Sequence, residues 1–382
     1  MRIVLIYEVG EVGRPRSRGH LRCRVLLAIP LVVGLSFGLS PGTLGADRNL
    51  IQGVWVERES FLMGTRLRIR VRAPDRPSGI HTIDNAFTAV ALYEAMLSSW
   101  TRDSEISRLN RTEVNAAVTL SDGLGDLLAQ AFHWSEETEG AFQPMVGALL
   151  DVWGVRDSGW IPTKEALDGA LSSIGQGAID LDFAAATATR RDEAAWIDAG
   201  AFGKGAALKA AVHEILKAGV KDALLDFGGQ IMTLGSPVGE QSGWLVSVAH
   251  PQRRFEPVGA LRVTNASVAT SGASERHMVI KGRRLSHVID PRTGQLVPPW
   301  GSVTVVSEDP LAADAIATAL FVLGPEAGME WVRKQPDIGV LFLIEGSEGQ
   351  LEKRWNLQMA AWLQETGNES FQPEHRNGDG GI

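Results

Sequence analysis

"SFLMGTRLRIRV", residues 60–71, alternates apolar and charged side chains with a period of two residues. Leu67, Ile69 and Val71 fall on one side of an extended chain and three arginines fall on the other, which predicts a β-strand with one buried face. Apolar side chains then recur at three- and four-residue spacing over residues 80–97, the pattern of an amphipathic helix. A half-buried strand followed by such a helix predicts an α+β fold, in which helices cover a face of a sheet.

Helical and strand-like patterns continue along the chain, and no internal repeat or linker divides it. Further helices are predicted after Asp103 or Ser104 and over residues 122–137, 204–218, 309–323 and 325–334. Strands are predicted around 179–183, 195–197, 222–235 and 338–355, and within 244–307, where one covers 285–289. Residues 139–154 predict a packed loop, and residues 366–382 a disordered tail. Residues 47–365 are therefore expected to form one domain.

The N-terminal 46 residues have the order of an export signal: a basic region, an apolar run over 25–39 and then small residues through Ala46. Pro30 and Gly34 interrupt the apolar run, which is shorter than the roughly 20 residues of a membrane-spanning helix. We expect residues 1–46 to be a signal peptide, and an uncleaved inner-membrane anchor is the alternative. Cys23 precedes the apolar run, so attachment of a lipid to a cysteine after that run is not supported.

Composition excludes several classes of function. Without residues 1–46, which carry six Arg and two Glu, 31 basic and 43 acidic residues remain, a net charge of −12. This charge disfavours nucleic acid and anionic membrane as partners. Cys23 is the only cysteine, so the mature chain is expected to have no disulfide, no thiolate catalysis and no thiolate metal site.

The stretch "IDAGAFGKGAALKAA" (197–211) places glycines before a predicted helix that begins at Lys204. Glycines let the backbone approach a ligand closely, and a helix N-terminus with a lysine favours phosphate. The stretch is not a Walker A loop, because Gly205 follows the lysine and Asp198 stands where the first glycine would be. A tight structural turn is the alternative interpretation.

Asp314 and Thr318 are four residues apart in "DPLAADAIATALFVLG" (309–324) and therefore lie on one side of the predicted helix. A carboxylate and a hydroxyl suit a hard cation such as Mg²⁺, which leaves further positions for water and substrate phosphate. The alternative is a solvated polar face on which the threonine bonds back to the helix backbone.

Four further stretches carry polar or aromatic candidates. In "SHVIDPRTGQ" (286–295), His287 falls in a predicted strand before an Asp-Pro turn, where a structural histidine is the more common case. Ser271 lies outside any G-x-S-x-G elbow, which disfavours a serine hydrolase. Met63 and Trp100 suit either a planar ligand or the core.

Eight stretches in this order resemble the motifs of the ApbE family, the FAD:protein FMN transferases, over residues 57–345. They are "FLMGTRLRI", "SSWTRDSEISRLN", "GAFQPMVGALLDVWG", "IDAGAFGKGAA", "LLDFGGQI", "VATSGASERH", "SHVIDPRTG" and "AADAIATALFVLG". The resemblance implies a mixed fold of largely antiparallel sheets with flanking helices in a single compact catalytic unit. It also implies an exported enzyme, periplasmic or attached to the outer face of the cytoplasmic membrane. Such an enzyme uses FAD and Mg²⁺ to attach FMN to a Ser or Thr hydroxyl of an acceptor flavoprotein, forming a phosphodiester and releasing AMP.

The resemblance also assigns roles to residues of this chain. The implied Mg²⁺ ligands are the backbone carbonyl of Ala201 and the side chains of Asp314 and Thr318. The implied flavin contacts are Met63, Trp100, Ala141, Phe142, Gln143, Asp198, Lys204 and Val288. We expect His287 to take the proton of the acceptor hydroxyl and Lys204 to offset developing negative charge.

Three positions depart from the pattern of the family: Gln143 and Gln230 stand where carboxylates are usual, and Lys209 stands where an aspartate is usual. The metal and phosphate positions are unchanged, which favours an active but divergent transferase. Two alternatives stay open. One is an FAD pyrophosphatase that uses the same site with water as the acceptor, and the other is a non-catalytic periplasmic flavin-binding protein.

Overall fold

The computed structural model of the chain describes residues 53–364 except 158, 176, 238–242, 273–276, 281 and 347–348. Its helices are α1 (Arg76–Leu97), α2 (Glu105–Arg111), α3 (Asp122–Glu137), α4 (Gly147–Val152), α5 (Lys164–Ser172), α6 (Gly203–Lys217), α7 (Pro310–Val332) and α8 (Leu357–Ala360). Its strands are β1 (Val54–Leu62), β2 (Thr65–Ala73), β3 (Ala117–Thr119), β4 (Ile179–Asp182), β5 (Thr187–Arg190), β6 (Ala223–Phe227), β7 (Gln230–Leu234), β8 (Trp244–Ala249), β9 (Pro257–Val263), β10 (Ser267–Gly272), β11 (His277–Ile280), β12 (Arg283–Ser286), β13 (Gly301–Ser307), β14 (Gly339–Glu345), β15 (Leu351–Trp355) and β16 (Leu363–Gln364). The predicted export signal (1–46) and disordered tail (366–382) lie outside the described residues.

An eight-stranded sheet in the order β1-β2-β6-β7-β10-β13-β14-β15 forms the centre of the fold. Three small sheets accompany it, in the orders β16-β9-β8, β3-β5-β4 and β11-β12. All strand pairs of these sheets that the structure describes are antiparallel. The predicted α+β class, with largely antiparallel sheets and flanking helices, is confirmed.

The first hairpin shows why the residue 60–71 pattern decides the fold. Leu67, Ile69 and Val71 are fully buried in one cluster with apolar residues of α1 and α6, while the arginines between them stay partly exposed. The predicted strand is divided, however, because a turn separates β1 from β2. Met63 and Gly64 both have left-handed backbone conformations there, with φ of 48° and 72°. A two-residue turn interrupts the alternation of apolar and polar residues too briefly to be recognised from the sequence pattern.

Helices α6 and α7 meet at their first turns. Asp309 caps α7 by accepting a hydrogen bond from the backbone N–H of Leu311 (2.8 Å), and Pro310 follows at the first helical position. A Cβ atom at Gly205 would lie 2.2 Å from the carbonyl oxygen of Pro310, so only glycine allows this approach. The two helices thereby bring the glycine-rich stretch and the Asp314 helix together.

Helix α7 is long and apolar enough to cross a membrane, with a mean hydropathy of 1.3, but 72% of that apolar stretch is buried inside the protein. It packs on β10 and β13 in the largest core cluster, so its apolar character is that of a core helix. Gly324, with a φ of 77°, divides α7 into two helical parts. This division agrees with the two helices predicted over 309–323 and 325–334.

One predicted strand is wrong and a second is too long, and in both a side chain replaces a strand partner. Ala195 and Ile197 are buried, but residues 195–197 are irregular, since the Asn110 side chain accepts from the N–H of Ile197 and donates to its carbonyl, both at 2.8 Å. The strand predicted over 285–289 ends at Ser286, whose hydroxyl accepts from the N–H of Val288 at 3.1 Å. His287 therefore follows the strand rather than lying within it.

Other differences concern short elements. The predicted loop over residues 139–154 contains the six-residue helix α4, which begins at Gly147 where the backbone lies against Trp196. Helix α5 and strand β10 also form where no helix or strand was predicted. Helix α5 does have a local signal, because Thr163 caps it by accepting from the backbone N–H of Ala166 at 3.3 Å.

Replacing Gly205 with Ala tests the contact between α6 and α7. The added methyl group would meet the Pro310 carbonyl, so we expect the free energy of unfolding to fall by about 1–3 kcal/mol. Gly169→Ala is the matched control, because Gly169 lies on exposed α5 with no atom near the position of a new Cβ. For this control we expect the free energy of unfolding to rise by about 0.5–1 kcal/mol. Urea denaturation measures both values. Equal effects of the two substitutions would contradict the close approach.

Candidate functional site

The centre of the candidate site is the carboxylate of Asp314, which α7 places against the first turn of α6. Lys204 Nζ lies 3.2 Å from Oδ1 and 3.3 Å from Oδ2 of Asp314, and the backbone N–H of Gly205 donates to Oδ2 at 3.1 Å. Asp314 is buried, while about a third of the Lys204 side chain is exposed. The pair thus joins a buried anion to a partly solvated cation at a helix N-terminus, where anions are favoured.

Burial raises the pKa of Asp314 above its ordinary value of 3.8, while the charge of Lys204 and the hydrogen bonds from Gly205 and Lys204 act in the opposite direction. Desolvation is the largest of these effects, so the ionised carboxylate is not fully compensated by its neighbours. A further cation beside such a buried carboxylate would stabilise its ionised form.

Thr318 lies one turn after Asp314 on α7 and is half-buried. Its hydroxyl donates to the backbone carbonyl of Asp314 at 3.2 Å, which is the back-bonded arrangement of the structural alternative. Donation leaves the oxygen lone pairs of the hydroxyl available to a cation. Back-bonding and metal binding by Thr318 are therefore compatible.

The implied metal ligands fit Mg²⁺ in their chemistry. Ala201 is half-buried just before α6, and its carbonyl, the Asp314 carboxylate and the Thr318 hydroxyl are all hard oxygen donors. Within residues 53–364, as far as they are described, no three His, Cys, Asp or Glu side chains form a metal-binding group. A site with one carboxylate must be completed by water or substrate phosphate, which is how Mg²⁺ is usually bound.

The loop over 141–145 packs beside the glycine-rich stretch. The backbone N–H of Asp198 donates to the carbonyl of Pro144 at 2.9 Å, and the rings of Phe142 and Phe202 meet edge to face at 6.1 Å. Ala141 and Phe142 are buried. The side-chain carbonyl of the half-buried Gln143 accepts from the backbone N–H of Met145 at 3.1 Å and thereby stabilises the loop that contains it.

Met63 reaches the same region from the β1–β2 turn. Its backbone N–H donates to the Glu94 carboxylate at 2.9 Å, and a Cβ atom at Gly203 would lie 3.2 Å from its terminal methyl group. The side chain therefore touches the first residue of α6. A left-handed conformation at a residue other than glycine is strained, and such strain clusters at binding sites.

Trp100 and Asp198 are connected by a residue that the sequence patterns did not single out, Arg156. Its guanidinium forms an ion pair with Asp198 and lies 4.7 Å from the ring centre of Trp100. Asp198 also accepts from the hydroxyl of Ser99 at 3.2 Å. No signal in the sequence marks Arg156, because its contacts all come from distant loops.

His287 and Val288 approach from the segment after β12, and both are half-buried. Val288 packs against the core cluster that includes Ala141, Phe142 and Phe202, with Ala201 at its edge. The carbonyl of Val288 accepts from the N–H of Val297 at 2.9 Å, which fixes the strand-like path of the segment. A Cβ atom at Gly140 would lie 3.8 Å from the Arg292 side chain, so the turn that follows this segment lies beside the loop over 141–145, and the catalytic role of His287 stays a prediction.

Two departures from the family pattern have structural partners. Gln230 is buried and donates from Nε2 to the Pro310 carbonyl at 2.8 Å, which an ionised carboxylate cannot do. Lys209 forms an ion pair with the α7 cap Asp309 at 2.6 Å and donates to Gln130 at 2.8 Å. Both residues therefore fasten the first turn of α7.

Asp314→Asn tests the electrostatic state of the site in the metal-free protein. Because the folded pKa of Asp314 is raised, its contribution to stability is fully present below 3.8 and is lost as pH rises through the folded pKa. We expect the free energy of unfolding of the wild type to decline relative to that of the Asn variant as pH rises from about 4 to 8. Parallel pH profiles in chelator-treated samples would contradict a raised pKa.

Comparison with known proteins identifies the family of this chain. The model of the ApbE family matches residues 63–342. FAD:protein FMN transferase of Treponema pallidum (strain Nichols) is 30% identical over 303 residues, covering 75% of this chain and 84% of that protein. The Escherichia coli (strain K12) protein of the same name is 28% identical over 304 residues, covering 78% and 86%.

Solved structures agree with the fold. The crystal structure of the ApbE protein of Thermotoga maritima superposes with a TM-score of 0.74 at 26% identity, covering 82% of this chain and 100% of that one. Flavin transferase ApbE of Vibrio cholerae has a TM-score of 0.71 at 24% identity, covering 81% of this chain and 100% of that one, and shares the fold. With the family model matching most of the chain, the protein belongs to the ApbE family.

Proposed function

We propose that the chain transfers the FMN half of FAD to a Ser or Thr hydroxyl of an acceptor protein, with Mg²⁺, forming a phosphodiester and releasing AMP. The observation that carries the proposal is the buried Asp314 carboxylate beside Lys204 at the N-terminus of α6. The curated relatives, which are FAD:protein FMN transferases, supply the reaction class.

The first turn of α6 would bind the pyrophosphate of FAD. The positive end of the helix dipole and the Lys204 ammonium favour an anion, and Lys204 retains enough exposure to meet a ligand from solvent. The Ala201 carbonyl and the side chains of Asp314 and Thr318 would hold Mg²⁺ at the same place. The chemistry that Mg²⁺ supplies when bound is neutralisation of charge on phosphate oxygens.

The flavin half would lie between the loops that bear Met63, Trp100, Phe142 and Asp198. Trp100 is 72% exposed, so its indole offers a large apolar face to a planar ring. Val288 and Phe142 belong to the packed wall of this region. Rigid apolar walls with few polar groups are the usual lining of a cofactor site.

In the transfer, the acceptor hydroxyl oxygen forms a bond to the phosphorus of the FMN half, and the bond from that phosphorus to the bridging oxygen breaks. The bridging oxygen leaves with AMP, and His287 takes the proton of the hydroxyl. Lys204 offsets the negative charge on the phosphoryl oxygens, since positioning and charge neutralisation provide most of the acceleration in such reactions.

Incubation of the mature chain with FAD, Mg²⁺ and a peptide containing an Asp-x-x-Thr-Gly-Ala-Thr segment tests the proposal. We expect the peptide mass to increase by one FMN unit on a threonine, with one AMP released per peptide modified. Free FMN and AMP without peptide modification would instead support the pyrophosphatase. FAD retention without AMP, independent of Mg²⁺, would support the flavin-binding protein.

His287→Asn separates catalysis from binding. Loss of a general base costs on the order of 10²–10⁴ in rate, so we expect transfer to fall by that factor while the dissociation constant for FAD changes little. The control is His213→Asn, because His213 is exposed on α6, ten residues after its start at Gly203. Unchanged transfer by the His287 variant would remove this residue from the mechanism.

We also propose that the chain is exported and acts outside the cytoplasmic membrane. The basic region and apolar run within residues 1–46 support this location. In cell fractionation we expect the protein in the periplasm, with a mass that corresponds to cleavage near Ala46. A full-length chain in the membrane fraction would indicate the uncleaved anchor, and a full-length cytoplasmic protein would contradict export.

A further inference from the structure

The side chain of Arg156 stacks on two tryptophan rings. Its guanidinium carbon is 4.4 Å from the ring centre of Trp196 and 4.7 Å from that of Trp100. The side chain is only 23% exposed, although it follows α4 on a surface turn. A guanidinium can bind one aromatic face on each side because it is planar and weakly hydrated.

The base of this stack is anchored in the fold. A Cβ atom at Gly147 would lie 2.1 Å from the indole of Trp196, so the ring rests directly on the backbone of α4. The indole nitrogen of Trp196 donates to the Asp151 carboxylate at 2.8 Å. Helix α4 therefore holds Trp196 in place, and Arg156 contacts both Trp196 and Trp100.

The edge of the same guanidinium joins two further loops. It donates to the Ser99 hydroxyl at 2.6 Å and forms the ion pair with Oδ2 of Asp198. The other oxygen of that carboxylate accepts from the backbone N–H of Gly200 at 2.8 Å. Arg156 thus fixes Trp100 and Asp198 relative to each other and to the glycine-rich stretch before α6.

We propose that Arg156 is a positioning residue for the flavin ring, acting through Trp100 and Asp198. This inference rests on the proposed function, in which those two residues contact the flavin. Trp100 is mostly exposed and has little core packing of its own, so the guanidinium beneath it holds the indole ready before the ligand arrives. Pre-organisation of this kind raises affinity because less side-chain freedom is lost on binding.

Arginine is specifically suited to this role. A lysine can keep an ion pair with Asp198, but its ammonium is a point charge without a planar face, so it cannot also support the two indoles. Arg156→Lys consequently removes the stack while retaining the positive charge. That substitution distinguishes positioning of Trp100 from simple charge balance at Asp198.

The test measures the dissociation constant for FAD, from quenching of flavin fluorescence, in the full mature chain with Mg²⁺ and without acceptor. We expect Arg156→Lys to weaken binding by about tenfold. In a Trp100→Leu background the same substitution should change the constant by less than about twofold, because residues that act through one another are non-additive. Arg156→Gln serves as a second variant should the Lys variant not fold.

Arg354→Lys is the matched control. Arg354 lies on the edge strand β15 and has a similarly covered side chain, 29% exposed. It forms ion pairs with Glu352 of the same strand and with Glu326 of α7, so FAD binding should not change.

Two results would overturn the inference: an Arg156→Lys constant equal to or tighter than that of the wild type, or fully additive effects with Trp100→Leu. Tighter binding would mean that the guanidinium competes with the ring for the Trp100 face. Failure of the proposed function is distinguishable, since the wild type itself would then bind no FAD or transfer no FMN. A wild type without FAD affinity would overturn this inference as well.

Discussion

The contact between the first turns of α6 and α7 is the constraint on which the candidate site depends. Gly205 lets the α6 backbone lie against Pro310, and this approach brings Lys204 and the Gly205 N–H to the carboxylate of Asp314. Gln230 and Lys209 fasten the same turn of α7 through Pro310 and Asp309. The helices carry the phosphate-binding and metal-binding candidates, so a small separation between them would divide the site.

This arrangement has an energetic cost that a bound cation would reduce. Desolvation raises the pKa of Asp314 despite its lysine partner, so burial of the ionised carboxylate has a cost that Lys204 and the Gly205 N–H offset only in part. The surrounding helix is otherwise almost entirely apolar. A poorly compensated anion next to a helix N-terminus is suited to share a cation with an incoming pyrophosphate.

The sequence predicts those parts of the molecule that rest on local periodicity or local spacing. Alternation places Leu67, Ile69 and Val71 in the core, and the four-residue spacing of Asp314 and Thr318 places both on one side of α7. Family resemblance, rather than spacing, brings the glycine-rich stretch to that helix, and the Lys204–Asp314 contact agrees with it.

What local patterns miss depends on side chains that come from far along the chain. Arg156 binds Ser99, 57 residues before it, and Asp198, 42 residues after it, so no window of sequence marks it. Asn110 satisfies the backbone of Ile197 from 87 residues away and turns a predicted strand into an irregular segment. Met63 occupies a strained turn that strand periodicity conceals.

The central claim is that the α6–α7 junction binds a divalent cation together with FAD. Titration with Mn²⁺ as a stand-in for Mg²⁺, followed by electron paramagnetic resonance of the unbound ion, measures this directly. The account predicts one Mn²⁺ bound per wild-type chain when FAD is present, and loss of that binding in Asp314→Asn. Equal Mn²⁺ binding by the two proteins would contradict the account.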